Sequence, residues 1–134
     1  MYSVFETEII IRPDDIDMNN HVHNSKYLDY VQAARFDQMI NNYKMSMEEF
    51  HSSGLNWVAS TAYIEFKRAL KLGDKVFVRT QLKSYSGAQV TVSFWILKKD
   101  NKIAAEGYLT YTMISLKSGK PVRIPDDIIT RYTI

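Results

Sequence analysis

Polar and apolar positions along the chain change period twice. Residues 2–11 alternate as Ser3-Val4-Phe5-Glu6-Thr7-Glu8 and end in Ile9-Ile10-Ile11, the period of a half-buried strand. Arg12-Pro13 ends it, since proline lacks a ladder donor and restrains the residue before it. From Asn24 the period becomes helical, with Asn24 or Ser25 as the expected N-cap. Between 24 and 40 the apolar residues Tyr27, Leu28, Tyr30, Val31, Ala33, Ala34, Phe36, Met39 and Ile40 leave one narrow polar stripe through Lys26, Asp29, Gln32 and Asp37. A helix apolar over most of its circumference is a buried one. A shorter helix is expected over Ser46–Ser52, with Ser46 as cap and Glu49 closing a capping box.

After Gly54 the pattern is that of strands. Residues 56–68, 75–85, 89–99 and 102–117 are rich in β-branched and aromatic side chains. The turn pairs Gly73-Asp74, Ser86-Gly87, Asp100-Asn101 and Ser118-Gly119 separate them. Strands joined so tightly run antiparallel. The expectation is an α+β domain over residues 1–134, one long buried helix against an antiparallel sheet of five or slightly more strands. A single sheet covers such a helix only partly, so the sheet is expected to curl around it and the chain to pair with a copy of itself, as homodimer or homotetramer.

Composition narrows the chemistry. With no cysteine among 134 residues there is neither a disulfide framework nor a thiol nucleophile. No apolar run is long enough to span a membrane, and the acidic start with Glu6 and Glu8 differs from a secretory leader, so the expected location is the cytoplasm. Residues 1–66 carry a net charge of −6 and residues 67–134 a net charge of +8. The basic half could attract an anionic partner. Its basic residues are scattered and no nucleic-acid motif accompanies them, so nucleic acid is not the expected partner.

The segment Pro13-Asp14-Asp15-Ile16-Asp17-Met18-Asn19-Asn20-His21-Val22-His23-Asn24 is the densest in chemistry. Asp15, Asp17, Asn19, His21 and His23 occupy alternate positions and would share one side of an extended segment. A calcium loop fails where Asn20 replaces the needed glycine and Lys26 the closing glutamate. A transition-metal site would draw on His21, His23 and an aspartate, but His51 is the sole other histidine and stands alone, so no metal or other cofactor is expected. Capping and turn formation account for Asp14, Asn20 and Asn24. Asp17, Asn19 and His21 together are more than caps require.

These residues resemble the 4-hydroxybenzoyl-CoA thioesterase family of hotdog proteins. The pattern D-x-D-x-N-x-H-V-x-N-x-x-Y from Asp15 to Tyr27 is most similar to plant acyl-(acyl-carrier-protein) thioesterases and bacterial relatives. Weaker similarity runs through Glu65-Phe66-Lys67-Arg68, Lys71-Leu72-Gly73-Asp74 and Gly119-Lys120-Pro121-Val122-Arg123-Ile124-Pro125. The resemblance implies a hotdog fold and hydrolysis of an acyl-CoA or acyl-carrier-protein thioester. It implies Asp17 as nucleophile or general base, with Asn19 and His21 positioning it or the attacking water. It implies backbone N–H groups around His23 and Asn24 as the oxyanion site, which a helix N-terminus suits physically. It also implies a site spanning a subunit boundary.

Two departures stand out. Asn19-Asn20 lie where many bacterial members have glycine, and Ala69 lies where the plant enzymes have glutamate; Glu65 is the nearest acid on that strand. A hydratase or dehydratase of the same fold would place histidine five residues past the aspartate, behind a proline. Here His21 lies four past Asp17 and no proline intervenes. An acyl-thioester-binding module without chemistry is the remaining alternative. Lys67, Arg68, Arg79 and Lys83 are the candidate contacts for the anionic carrier, with Lys98, Lys99 and Lys102 beside them. Trp57, Tyr63, Phe94 and Trp95 are candidates for an acyl tunnel or for the core.

Overall fold

The computed structural model describes residues 2–134. Five strands, β1 (Val4–Ile9), β2 (Leu55–Phe66), β3 (Val76–Ser86), β4 (Gln89–Leu97) and β5 (Ile103–Ser115), form one antiparallel sheet in the order β1-β3-β4-β5-β2. Helices α1 (Asn24–Asn41) and α2 (Met47–Ser52) lie between β1 and β2, and α3 (Asp126–Tyr132) follows β5. The expected α+β arrangement is the one found. No helix of the described residues is long and apolar enough to cross a membrane.

Alternation along β3 and β4 turns Val76, Val78, Leu82, Val90, Val92, Phe94 and Ile96 to one face, where all are buried. Helix α1 lies over β1, β3 and β4 and packs Tyr27, Tyr30, Val31, Ala34 and Met39 against that face. Burial of each large apolar side chain there is worth roughly 1.5–3 kcal/mol. Phe94, a candidate for an acyl tunnel, belongs to this core at 1% exposure.

The helix departs from its sequence pattern in instructive ways. Arg35 and Gln38 are buried, whereas Phe36 and Ile40 are exposed. Gln38 is satisfied inside: its amide donates to Thr7 Oγ1 (3.0 Å) and its carbonyl accepts from Thr80. Neither Asn24 nor Ser25 is the N-cap. His23 holds that position and makes no side-chain cap bond. Ser46 does cap α2 by accepting from Glu49 N–H, but Glu49's carboxylate turns to Arg131 (2.8 Å), so the box stays open.

The first strand is shorter than its pattern, with Ile10 exposed and Ile11 turned into the core. Gly107 on β5 faces Ile64 on β2, and a Cβ there would lie 1.8 Å from the Tyr63 carbonyl oxygen. Only glycine admits so close an approach.

Candidate active site

The polar segment before α1 is a folded loop, which corrects the extended reading. Pro13–Asp15 form one 3-10 turn. Ile16 and Val22 then pair across a tight bend, closed by Asp17 N–H to His21 O (2.8 Å) and Asn20 N–H to Asp17 O (3.2 Å). Asn20 takes φ 59°, a left-handed value that asparagine tolerates better than most residues.

This bend parts the alternating residues. Asp15 turns inward to 6% exposure, where Tyr30 OH donates to Oδ2 (2.7 Å), Arg12 N–H donates to the same oxygen (3.0 Å) and Lys26 lies at 3.9 Å. Burial opposes its ionisation, but these donors and cations prevail and hold the carboxyl below its usual range. Tyr30 is pushed up, by burial first and by Asp15 second.

Asp17 turns outward to the cleft, half-buried. Asn19 N–H (2.8 Å) and His21 N–H (3.1 Å) both donate to Oδ1, and those two bonds hold the carboxyl low. Oδ2 has no partner among the described residues. Asn19 and His21 therefore position Asp17 through their backbones. His21 is among the residues lining the cleft, and Asn19 is exposed and is not.

The cleft has a volume of about 510 Å³ and is mostly polar. Asp17, His21, His23 and Asn24 form one wall, and Phe66, Lys67, Arg68 and Ala69 the other. The end of β2 is tied to the loop by Val22 N–H to Leu70 O (2.8 Å) and Leu70 N–H to Tyr27 OH (3.2 Å). Tyr27 also stacks edge-on against Phe66, with centroids 5.1 Å apart. Lys98 Nζ donates to Ala69 O (2.9 Å) from behind. Tyr27, Phe66 and Ala69 are cleft residues to which the sequence pattern assigns no role, though Tyr27 closes the motif at its last position.

The backbone donors separate cleanly. His23 N–H donates to Asp15 O (2.9 Å) and is not free for an oxyanion. That part of the sequence expectation is corrected, because Asp15's inward turn brings its carbonyl to that N–H. Among the described residues Asn24 N–H has no acceptor, as the first turn of a helix requires.

The four basic candidates divide two and two. Lys67 and Arg68 line the cleft, Lys67 pairing with Glu65 (3.1 Å) and Glu106 (3.8 Å), and Arg68 donating to Ile103 O (2.7 Å). Arg79 is instead bound to Glu6 across β1 and β3 (2.9 Å), and Lys83 lies over the Tyr108 ring. Glu65 does not reach the cleft; with Tyr63 and Trp95 it lines a shallow concavity elsewhere on the sheet. Trp57 lies in a separate apolar cavity. Among the described residues no three His, Asp or Glu gather as a metal would need.

Known proteins share this architecture. The model of the thioesterase-like superfamily matches residues 11–131. The long-chain acyl-CoA thioesterase FadM of Escherichia coli is 25% identical over 124 residues, covering 92% of each chain. The chloroplastic acyl-acyl carrier protein thioesterase ATL3 of Arabidopsis thaliana is 25% identical over 135 residues, covering 98% of this chain and 69% of its own. The DHNA-CoA thioesterase of Staphylococcus aureus superposes with a TM-score of 0.88 at 21% identity, over 96% of this chain and 88% of that one. The architecture in common is the hotdog fold.

Proposed function

The chain belongs to the thioesterase-like superfamily, and from that premise we propose that it hydrolyses an acyl thioester in the cleft, with Asp17 as its central group. One observation carries the reading. An ionised carboxylate, fixed through Oδ1 and open at Oδ2, shares a cleft with Asn24, the first residue of an 18-residue helix, whose N–H has no acceptor among the described residues. Nucleophile or base stands on one wall, and a donor for the developing oxyanion at the helix end.

The chemistry asks little more. Asp17 Oδ2 either attacks the thioester carbonyl, giving an anhydride that water then opens, or removes a proton from water that attacks directly. Negative charge gathers on the carbonyl oxygen against Asn24 N–H and the helix dipole. The C–S bond breaks, and the thiolate leaves without a strong acid to protonate it. Holding Asp17 low favours its ionised form at neutral pH and trades away some basicity.

Lys67 and Arg68 sit where they can meet the phosphates of coenzyme A or of a carrier protein's prosthetic arm. FadM and ATL3 are named for different carriers, and both carriers fall within the proposed substrate class. A homodimer or homotetramer is part of the reading. The 12-residue edge strand β2 is unpaired on one side and exposes Val58, Tyr63 and Phe66, a template for a second copy. Light scattering at micromolar concentration should give a dimer mass or larger; a fully active monomer would remove this element.

The deciding experiment is a panel of acyl-CoAs of increasing chain length and one acyl-carrier protein, followed by release of free thiol. Saturable release from at least one is expected. A folded preparation that binds these thioesters and releases thiol from none would leave the binding module or the hydratase in its place.

A further inference from the structure

The other end of α1 holds a second cavity of about 250 Å³, mainly apolar, which shares no residue with the cleft. Phe36 and Met39 of α1, Trp57 at the start of β2, Tyr111 of β5 and Tyr132 of α3 form its walls, and Arg35 is among its lining residues. Arg35 lies eleven residues beyond Asn24, or about 16 Å along the helix.

Arg35 is 5% exposed and has no carboxylate within salt-bridge distance among the described residues. Its guanidinium lies over the rings of Tyr43, Tyr111 and Tyr132 at 5.5, 5.5 and 5.8 Å, contacts that attract a cation without accepting its hydrogens. Nη2 finds Tyr132 OH at 3.4 Å and Met39 Sδ at 3.9 Å. Nε and Nη1 are buried and meet no acceptor in hydrogen-bonding geometry. The indole Nε1 of Trp57, on the same cavity, is buried and unmet as well.

These are, among the described residues, the only buried side-chain nitrogens or oxygens left without a partner, and their side chains border one cavity. Arginine cannot shed its proton to relieve the burial, and tryptophan nitrogen only donates. Buried donors of this kind are matched elsewhere in proteins by an acceptor, and a permanent positive charge selects an anionic one. The apolar walls ask for the opposite on the rest of the ligand. A phosphate monoester would set nearly two charges against one cation in an apolar space, whereas a carboxylate brings one.

We propose that this cavity is a binding site for an organic monocarboxylate with an apolar body, its carboxylate held by Arg35 and Trp57 and its body by Phe36, Met39 and the tyrosine rings. A free fatty or aromatic acid has this form. The inference does not rest on hydrolysis at the cleft, since binding is measured with no thioester present.

The test is calorimetric titration of the intact protein with octanoate and with 1-octanol, which matches its chain without the charge. Wild type is expected to bind octanoate roughly tenfold more tightly than octanol or better. Trp57→Phe keeps an aromatic wall and removes the N–H; it should weaken octanoate about threefold or more and move octanol less. Arg35→Met should bind the two ligands alike, and if it fails to fold, Trp57→Phe carries the test. Lys67→Ala, in the cleft, should leave octanoate unchanged. Equal or absent binding of the two ligands by wild type would overturn the proposal, as would an octanoate affinity that follows Lys67 and ignores Trp57.

Discussion

At the N-terminal end of α1 the charged groups border an open polar cleft, and backbone N–H groups meet Asp17. At the far end Arg35 is enclosed by three tyrosine rings with two of its nitrogens unmet. The same helix thus presents a fixed, ionised, accessible carboxylate at one end and a buried cation beside an apolar cavity at the other. The difference lies in what each group is given. Asp17 has its charge stabilised through one oxygen and keeps the other for chemistry. Arg35 has its charge tolerated by aromatic faces and keeps its donors for an acceptor the protein does not supply. A third group marks the contrast from within the loop: Asp15, two residues before Asp17, is fully engaged by Tyr30 and Arg12 and serves the scaffold.

The most damaging change should strike both ends together. Gly107→Ala would drive a Cβ into the Tyr63 carbonyl on the strand next to it, at a cost of about 3 kcal/mol. Both sites rest on β2, the cleft on Phe66–Ala69 and the apolar cavity on Trp57 and Ala59. Thermal melting should fall sharply, with cleft and cavity lost in one transition. If one survived the loss of the other, the two ends would be independent units.

Asp15→Ala should come next and should separate scaffold from chemistry. It leaves the buried Tyr30 hydroxyl and Arg12 N–H without their acceptor, at about 2 kcal/mol. Turnover per folded molecule should change far less than stability. A pH series sharpens the point. Asp15's pKa in the folded chain lies below its usual 3.8, so its contribution is complete above the unfolded value and is lost as pH falls through the folded one. The gap between wild type and Asp15→Ala in melting temperature should therefore narrow below about pH 4. A gap that stayed constant into acid would mean the carboxylate's ionisation does not matter there.

The smallest effect concerns the carrier. Lys67→Ala should raise KM for an acyl-CoA about threefold and leave kcat nearly unchanged, because the proposed role of Lys67 is to meet phosphates far from the reacting carbonyl. Salt screens such attraction over ~8–10 Å, so the difference from wild type should shrink at high ionic strength. Arg79→Ala is the comparison, since Arg79 is occupied by Glu6 away from the cleft and should not move KM. Equal shifts from both would assign the effect to the general charge of the basic half.

Much of the fold was legible in the sequence because strand periodicity and turn pairs act locally. Gly73-Asp74, Ser86-Gly87, Asp100-Asn101 and Ser118-Gly119 all fall between the observed elements or at their ends. The closing helix α3 was missed, although Pro125 followed by Asp126 and Asp127 is a helix-start signal. The cleft was legible in its central residue and not in its geometry. Alternate spacing puts side chains on one side only while the chain stays extended, and the turns at Pro13–Asp15 and Asp17–Asn20 send Asp15 in and Asp17 out. Which basic side chains reach the cleft depends on partners far along the chain, such as Glu6 for Arg79. Arg35 gave no local signal at all. An isolated arginine on a helix is ordinarily solvated, and its enclosure arises from Tyr43, Tyr111 and Tyr132, brought together only by the tertiary fold.

Asp17 carries the proposed chemistry, and one measurement reaches it directly. Asp17→Asn keeps the size of the side chain and an oxygen to accept from Asn19 and His21 N–H, while removing the charge. Its kcat/KM should be compared with that of wild type on the best acyl-CoA, with both proteins shown to melt cooperatively. The expected result is a loss of about 100-fold or more, carried by kcat. A folded Asp17→Asn protein that turned over within a few-fold of wild type would take the chemistry away from this residue.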